Sequence, residues 1–379
     1  MRGLIGRIEL ARVLKVGAPG HVVIGEADGE RALGPGEIRI KGLMSAISHG
    51  TELNLVRGTS PFAGKKFDAD LRVFVPGEAL DGHSPDRLGY EMAGIVTEVG
   101  PDVAEVKVGD LVHTGTPHQD VTIVDLPQQR EFGYPVTRLP DGATLDASLF
   151  ISLGSVAFQA IHDARIKIGD RVLVSGLGVI GLLTAQLARL NGASEVVVSD
   201  PIAYRRELAI QQGATLAIDP IAAAETGGVG LAVKQAFGPV GVDVAIETSG
   251  SYHALHAALA SVGVGGRVVG VGFYQGDGKG LRLGEEWHHN RPDMISSMGV
   301  WGCPHRDYPL WDRQRLTDQV RDLLYSGKLK TSGMLTQIFA FEDAQQGYTL
   351  VDKHPEEVLK VALVFPAYEE WQSALPETR

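Results

Sequence analysis

Gly176, Gly178 and Gly181 stand in the spacing G-x-G-x-x-G, directly after the apolar run 171–175 and directly before an apolar periodicity set by Leu182, Leu183, Leu187 and Leu190. A strand, a glycine turn and a helix in that order form a cradle for a pyrophosphate. Gly176 permits the tight turn, Gly178 lets the backbone approach a phosphate with no side chain in the way, and Gly181 lets the helix lie close on its strand. Val179 and Ile180 place backbone N–H groups at the helix start, where the positive end of the helix dipole adds to the attraction. The run 195–199 predicts a second strand that closes on Asp200. An acid there accepts hydrogen bonds from a ribose diol and repels a 2′-phosphate, so the pattern favours NAD over NADP. Arg205, five residues on, is spaced to cover the adenine or its ribose.

The elements that must position these residues follow from the pattern after residue 169. Helices over 205–212, 229–237 and 252–260 alternate with strands over 216–218, 242–247 and 267–271. That alternation is the signature of an α/β, doubly wound parallel sheet. Ligands sit at the carboxyl ends of such strands, which sets Thr248 and the Gly270, Val271, Gly272 run along the same crevice as Asp200. The first half reads differently. Residues 1–45 predict small strands, 34–58 a strand leading through a polar turn into a helix, and 89–112 a strand, a turn and a strand around Gly109-Asp110. Residues 59–88, rich in Pro, Gly, Asp and Arg, read as a long surface loop. Residues 113–140 read as scattered loops, and 141–164 as helical. Beyond residue 300 the alternation stops; 311–324 predicts an amphipathic helix and 358–365 a final strand that returns to the first domain. The division expected is a strand-rich domain of 1–155 with 302–379, and a nucleotide-binding domain of 156–301.

A length of 379 residues fits two domains, and 44% hydrophobic with 21% charged residues is a globular composition. The net charge of −11 argues against a nucleic-acid partner and against an anionic membrane surface. No apolar run reaches the length of a membrane span, and Met1-Arg2-Gly3 leads into no signal-type segment. The single cysteine, Cys303, excludes an internal disulfide framework and a multi-cysteine zinc site. A reducing cytoplasm is the compartment this composition suits.

Three segments carry a family resemblance: HGTELNLVRG (49–58), GYEMAGIVTEVG (89–100) and SGLGVIGLL (175–183). Together with the order of the two halves, they resemble the medium-chain dehydrogenase/reductase superfamily, in particular its zinc-dependent polyol and threonine dehydrogenases. The resemblance implies a GroES-like catalytic domain and a Rossmann nucleotide domain with the active site in the cleft between them. It also implies a nicotinamide cofactor and a homodimer or homotetramer. The departures carry information of their own. His49 stands where the family has its first zinc ligand, a cysteine, Tyr90 where it has a histidine, and Ile151 or Ser152 where the third ligand falls. Catalytic zinc needs three protein donors, so no zinc is expected; the alternative is a rearranged site held by His49, Glu91 and a third side chain. In a metal-free enzyme, Tyr90 or His49 would carry the hydroxyl proton as general acid/base, provided its pKa is tuned toward neutrality.

The same resemblance sets Thr51 at the relay hydroxyl, Asn54 where a relay histidine is common, and Glu52 and Glu91 behind the metal position. Lys360, on the returning strand, resembles a basic residue that contacts the cofactor pyrophosphate. EEWHHNRPDM (285–294) offers Trp287 and His288 as substrate or dimer contacts, or as a solvated helix turn, and Trp301, His305 and Arg306 follow in the next segment. Cys303 reads as an inert thiol, and His113 and His118 match no pattern. The function expected is zinc-independent, NAD-dependent hydride transfer to or from a secondary alcohol or ketone of a polyol, sugar or cyclitol-like small molecule. A zinc-free enone or quinone reductase and an inactive NAD-binding protein are the alternatives.

Overall fold

The structure is a computed structural model that describes residues 11–62, 64–77, 85–131, 135–298 and 310–374. The chain divides into two compact units, Met1–Leu149 with Leu335–Arg379, and Phe150–Met334. The first unit opens on an antiparallel ribbon of β1 (Ala11–Ala18) and β2 (His21–Ala27). It continues with β3 (Glu37–Ile47), β4 (Lys65–Asp68), β5 (Val73–Pro76), β6 (Met92–Val99), β7 (Leu111–Thr114), β8 (Val121–Asp125) and β9 (Thr137–Arg138). The second unit supplies β10 (Arg171–Ser175), β11 (Glu195–Ser199), β12 (Leu216–Ile218), β13 (Val242–Glu247), β14 (Val262–Gly270) and β15 (Asp293–Ser296). β16 (Leu335–Ala340) and β17 (Lys360–Val364) then complete the first unit, as the final apolar run predicts.

The first unit's main sheet runs β16-β17-β3-β6-β7-β9, with β8 also paired to β3. β3 is its centre, and Ile38, Ile40, Leu43, Met44, Ala46 and Ile47 along it are fully buried. The second unit's sheet runs β12-β11-β10-β13-β14-β15 and every pairing in it is parallel. Strands of a parallel sheet are covered on both faces, which is why the middles of β10 and β11 and the part of β13 after Asp243 read as apolar runs. Val172–Val174, Val196–Val198 and Val244–Ile246 are all buried. From β10 the chain steps outward to β12 and then crosses back to β13, so the order reverses between β10 and β13. That reversal is the switch point at which a doubly wound sheet opens a crevice for a ligand.

Three sequence expectations need correction. Residues 113–140 are not scattered loops, because β8, the helix Leu126–Glu131 and β9 lie there and β8 pairs along β3. Residues 59–88 are not loop throughout, because β4 and β5 pair as a hairpin with Phe67 opposite Phe74. Phe74 also stacks on Phe62 at 5.3 Å between ring centroids. The aromatic residues hold two short strands together inside a composition that otherwise signals loop. The domain limits differ too. The helix Arg313–Tyr325 buries Leu316, Val320 and Leu324, and it packs on the helix Ile151–Ala164. Lys330 further on exchanges hydrogen bonds with Gln186. The second unit therefore begins at residue 150 and runs to 334, rather than covering 156–301.

The contact between those two helices is close enough to test. A Cβ added at Gly154 falls 2.5 Å from Val320 Cγ1, and a valine is stiff at χ1 and yields poorly. Gly154→Val is expected to lower unfolding free energy by about 1–3 kcal/mol, the range for overpacking a core. Urea denaturation measures it, and Val320→Ala in the same chain should restore part of the loss.

Candidate active site

The glycine turn has the geometry its spacing predicts. Gly176 has a φ of 90°, the left-handed region that favours glycine, and a Cβ on it would meet Ser249 Cβ at 2.8 Å. Gly178 begins the helix Val179–Leu190, and a Cβ there would point into open space. That is the approach a phosphate requires. Gly181 faces the Gly176 carbonyl so closely that no side chain fits. Asp200 at the end of β11 is buried, its Oδ2 accepting from Leu177 N at 2.7 Å and its Oδ1 from Ile202 N at 2.8 Å. Each oxygen keeps lone-pair capacity for a further donor such as a ribose hydroxyl. Arg206, which the spacing does not single out, donates to the Asp200 carbonyl at 2.7 Å and pairs with Asp219 at 3.0 Å. Arg205 turns to the neighbouring Tyr204 hydroxyl at 3.4 Å. Thr248 donates to the Gly176 carbonyl at 2.8 Å, and the Val271 and Gly272 N–H groups both donate to the Glu247 carbonyl. Gly270 ends β14.

In the first unit, the segment between β3 and the helix Thr51–Arg57 carries Ser48 and His49, and Thr51 begins the helix. Tyr90, just before β6, has its phenol 2.5 Å from the Ser48 hydroxyl and hydrogen-bonded to Thr51. Burial pushes the Tyr90 phenol well above its ordinary pKa; the Glu91 and Glu52 charges add to the rise, and the two hydroxyls oppose it. This is the opposite of tuning toward neutrality, so the phenol keeps its proton. Glu52 is buried beneath the segment. Its Oε1 accepts from Ser48 N at 2.9 Å, and its Oε2 accepts from His118 Nε2 at 2.9 Å and from the Tyr348 hydroxyl. His118 Nδ1 lies 2.8 Å from the Ser45 hydroxyl, which closes the network back onto β3. Asn54 donates to the Gly50 carbonyl at 2.8 Å and stabilises the helix start.

Glu91 and Lys360 are both buried, and the lysine ammonium donates to Glu91 Oε2. Lys360 is therefore neither solvated nor turned outward, but paired inside the first unit. His113 on β7 is buried near that charge; burial first, and Lys360 second, lower its pKa to about 3 and leave the imidazole neutral. Among the described residues, His256 with Glu285 and Glu286, and His354 with Glu356 and Glu357, form groups of metal-ligand type, and neither includes His49 or Glu91. Trp287 and His288 lie exposed on the short helix Glu286–Asn290 of the second unit. Trp301, His305, Arg306 and Cys303 lie outside the described residues.

Tyr90, Thr51 and Glu91 lie together as the sequence suggests, whereas Lys360, expected at the cofactor pyrophosphate, is paired with Glu91 inside the first unit; Ser48, His118 and Tyr348, which join them, carry no sequence signal. Those three come from separate segments, and no spacing joins them. The only local hint is Glu52, a carboxylate inside an apolar helix face that must find donors once buried.

Two family models match the chain, one described as "Alcohol dehydrogenase GroES-like domain" over residues 34–145 and one as "Zinc-binding dehydrogenase" over residues 179–310. D-guloside 3-dehydrogenase of Escherichia coli (strain K12) is 32% identical over 341 residues, 89% of this chain and 95% of that protein. D-xylulose reductase of Saccharomyces cerevisiae is 28% identical over 315 residues, 75% of this chain and 82% of that one. The solved structure of alcohol dehydrogenase TADH from Thermus sp. ATN1 superposes with a TM-score of 0.72 at 22% identity, covering 93% of this chain and 99% of that one. With a GroES-like unit, a Rossmann unit whose glycine turn is intact, and a relative this similar over nearly its full length, the chain belongs to the medium-chain dehydrogenase/reductase superfamily and is an oxidoreductase of its alcohol dehydrogenase-like branch.

Proposed function

We propose that this protein oxidises a secondary hydroxyl of a sugar, polyol or cyclitol-like molecule with NAD, and reduces the matching ketone, without a catalytic zinc. The observation that carries the reading is the company Tyr90 keeps. At the positions where zinc-dependent relatives hold their metal, this chain offers one imidazole, His49, and one phenol, Tyr90; the third position falls at Ile151 or Ser152. Glu91, the nearest carboxylate in sequence, is engaged with the Lys360 ammonium. That donor set does not fit a catalytic zinc, which takes three N, S or carboxylate donors.

NAD, when bound, supplies the nicotinamide carbon that exchanges hydride with the substrate carbon. The protein's part is to bind, orient and move the proton. Asp200 receives the ribose diol, and the turn from Gly176 to Gly181 with Val179 and Ile180 receives the pyrophosphate. Tyr90, kept protonated, donates a hydrogen bond to the substrate oxygen as it takes on alkoxide character. His49 takes the hydroxyl proton during oxidation and returns it during reduction, a role suited to imidazole near neutral pH. Ser48 and Thr51 fix the phenol between two hydroxyls. The sugar and polyol preference is supported by D-guloside 3-dehydrogenase and D-xylulose reductase among the relatives. A cytoplasmic setting suits a chain with one cysteine in which no described helix is long and apolar enough to cross a membrane.

Initial rates over a panel of sugars, polyols, ketones and enones test the class directly: NAD reduction on the alcohols and NADH oxidation on the ketones support it. NADPH oxidation confined to enones contradicts it. Tyr90→Phe should cut kcat about a hundredfold, the low end for a lost donor to a developing alkoxide, while leaving NADH affinity intact; undiminished turnover removes Tyr90 from the mechanism. Asp200→Asn removes the charge and sets its NH2 against the N–H of Leu177 or Ile202, so both cofactors should bind less well and the ratio between them is the readout. The NAD over NADP preference in kcat/KM should fall about tenfold, and an unchanged ratio sinks the assignment of Asp200. Lys360→Met strands a buried carboxylate, so unfolding free energy should drop by about 3–5 kcal/mol in urea titrations. Milder loss in the Lys360→Met, Glu91→Gln double variant would show that the stranded charge causes it.

A further inference from the structure

Glu247 ends β13, on the opposite side of the switch point from the glycine turn. Its side chain is fully buried and bonded at both oxygens. Oε1 accepts from Ser249 N at 2.7 Å and from the Ser249 hydroxyl, and Oε2 accepts from Gly250 N at 3.1 Å and from the Tyr274 hydroxyl at 2.5 Å. Tyr274 packs in turn on Tyr252, with ring centroids 5.2 Å apart. One carboxylate therefore fastens two loops, 248–250 after β13 and 271–274 after β14.

Both loops border the nucleotide cradle. Thr248 is bonded to the carbonyls of Ser175 and Gly176, and Ser249 fills the space that a side chain on Gly176 would need. Gly272 approaches Gly250 too closely to carry a Cβ, and Glu247 Oε2 lies 2.8 Å from where that Cβ would stand. A shift of the carboxylate therefore moves Ser249 against the glycine turn. Burying a carboxylate is costly, and a fold that needed only to fill this space could do so with an apolar side chain. What an apolar side chain cannot do is gather four donors from two loops.

We propose that Glu247 and Tyr274 form a positioning pair that sets the second lip of the dinucleotide crevice and thereby the affinity for the nicotinamide cofactor. The inference rests on the reading of the second unit as the cofactor's seat. Glutamine is the informative replacement. In either flip, its NH2 faces a backbone N–H, that of Ser249 or that of Gly250, and neither can reverse its direction as a hydroxyl can. One lip must then shift.

The test is direct titration of NADH fluorescence with wild type, Glu247→Gln and Tyr274→Phe, alongside KM for NAD and kcat for each. In Glu247→Gln the NADH Kd and the KM for NAD should both rise about tenfold, equivalent to 1.4 kcal/mol, with any fall in kcat smaller than the rise in KM. Tyr274→Phe, which removes one donor and leaves the carboxylate, should show about a threefold rise, and the double variant should be no worse than Glu247→Gln, as expected for groups acting as one unit. Wild-type affinity in both variants, or a loss of kcat at unchanged KM, overturns the proposal while leaving the cofactor reading intact. Failure of the wild type itself to bind NADH overturns the cofactor reading and this inference with it.

Discussion

The arrangement around Tyr90 depends on one buried ion pair. Glu91 precedes β6, Lys360 begins β17, and β3 lies between those strands in the sheet, so the pair closes over the central strand of the first unit. Neither group is exposed to water, and each charge is tolerable only because the other is there. Tyr90 is the residue next to Glu91, and its backbone has no freedom to move away while that carboxylate is held. The Glu91 backbone carbonyl adds a second tie by accepting from Ala46 N on β3.

Burial, with the Glu91 and Glu52 charges adding to it, holds the Tyr90 phenol in its neutral form. A metal in the same position would act the other way, drawing off protons by its charge. Under the proposed function Tyr90 takes the part of the zinc Lewis acid by donating to the substrate oxygen, and His49 accepts the proton. Glu52 contributes by anchoring the Ser48 backbone, with His118 and Tyr348 as its other donors. The second unit repeats the device. Asp200 fastens the glycine turn through Leu177, and Glu247 fastens the loops opposite.

The nucleotide half was legible in the sequence because its signals are local. A strand, a glycine turn and a helix lie within thirty residues, and buried parallel strands declare themselves as apolar runs such as Val196–Val198. The hairpin of Phe67 and Phe74 was not, since its aromatic pairing is hidden in a stretch whose composition signals loop. The sequence alternation ends near residue 300, yet the helix Arg313–Tyr325 still packs in the second unit, so the pattern alone does not mark that limit. In the first unit the motif gave Tyr90, Thr51 and Glu91, but Ser48, His118 and Tyr348 meet only after four segments fold together. A contact between residues 52 and 348 leaves no trace in spacing.

Under the proposed function, proton transfer needs no metal, a premise open to direct measurement. Its most direct test is elemental analysis of the purified, active enzyme by inductively coupled plasma mass spectrometry, with turnover on its best alcohol measured before and after exhaustive dialysis against a strong chelator. Far less than one zinc per chain and an unchanged kcat after dialysis are expected. One zinc per chain whose removal abolishes turnover, and whose return restores it, would contradict the account.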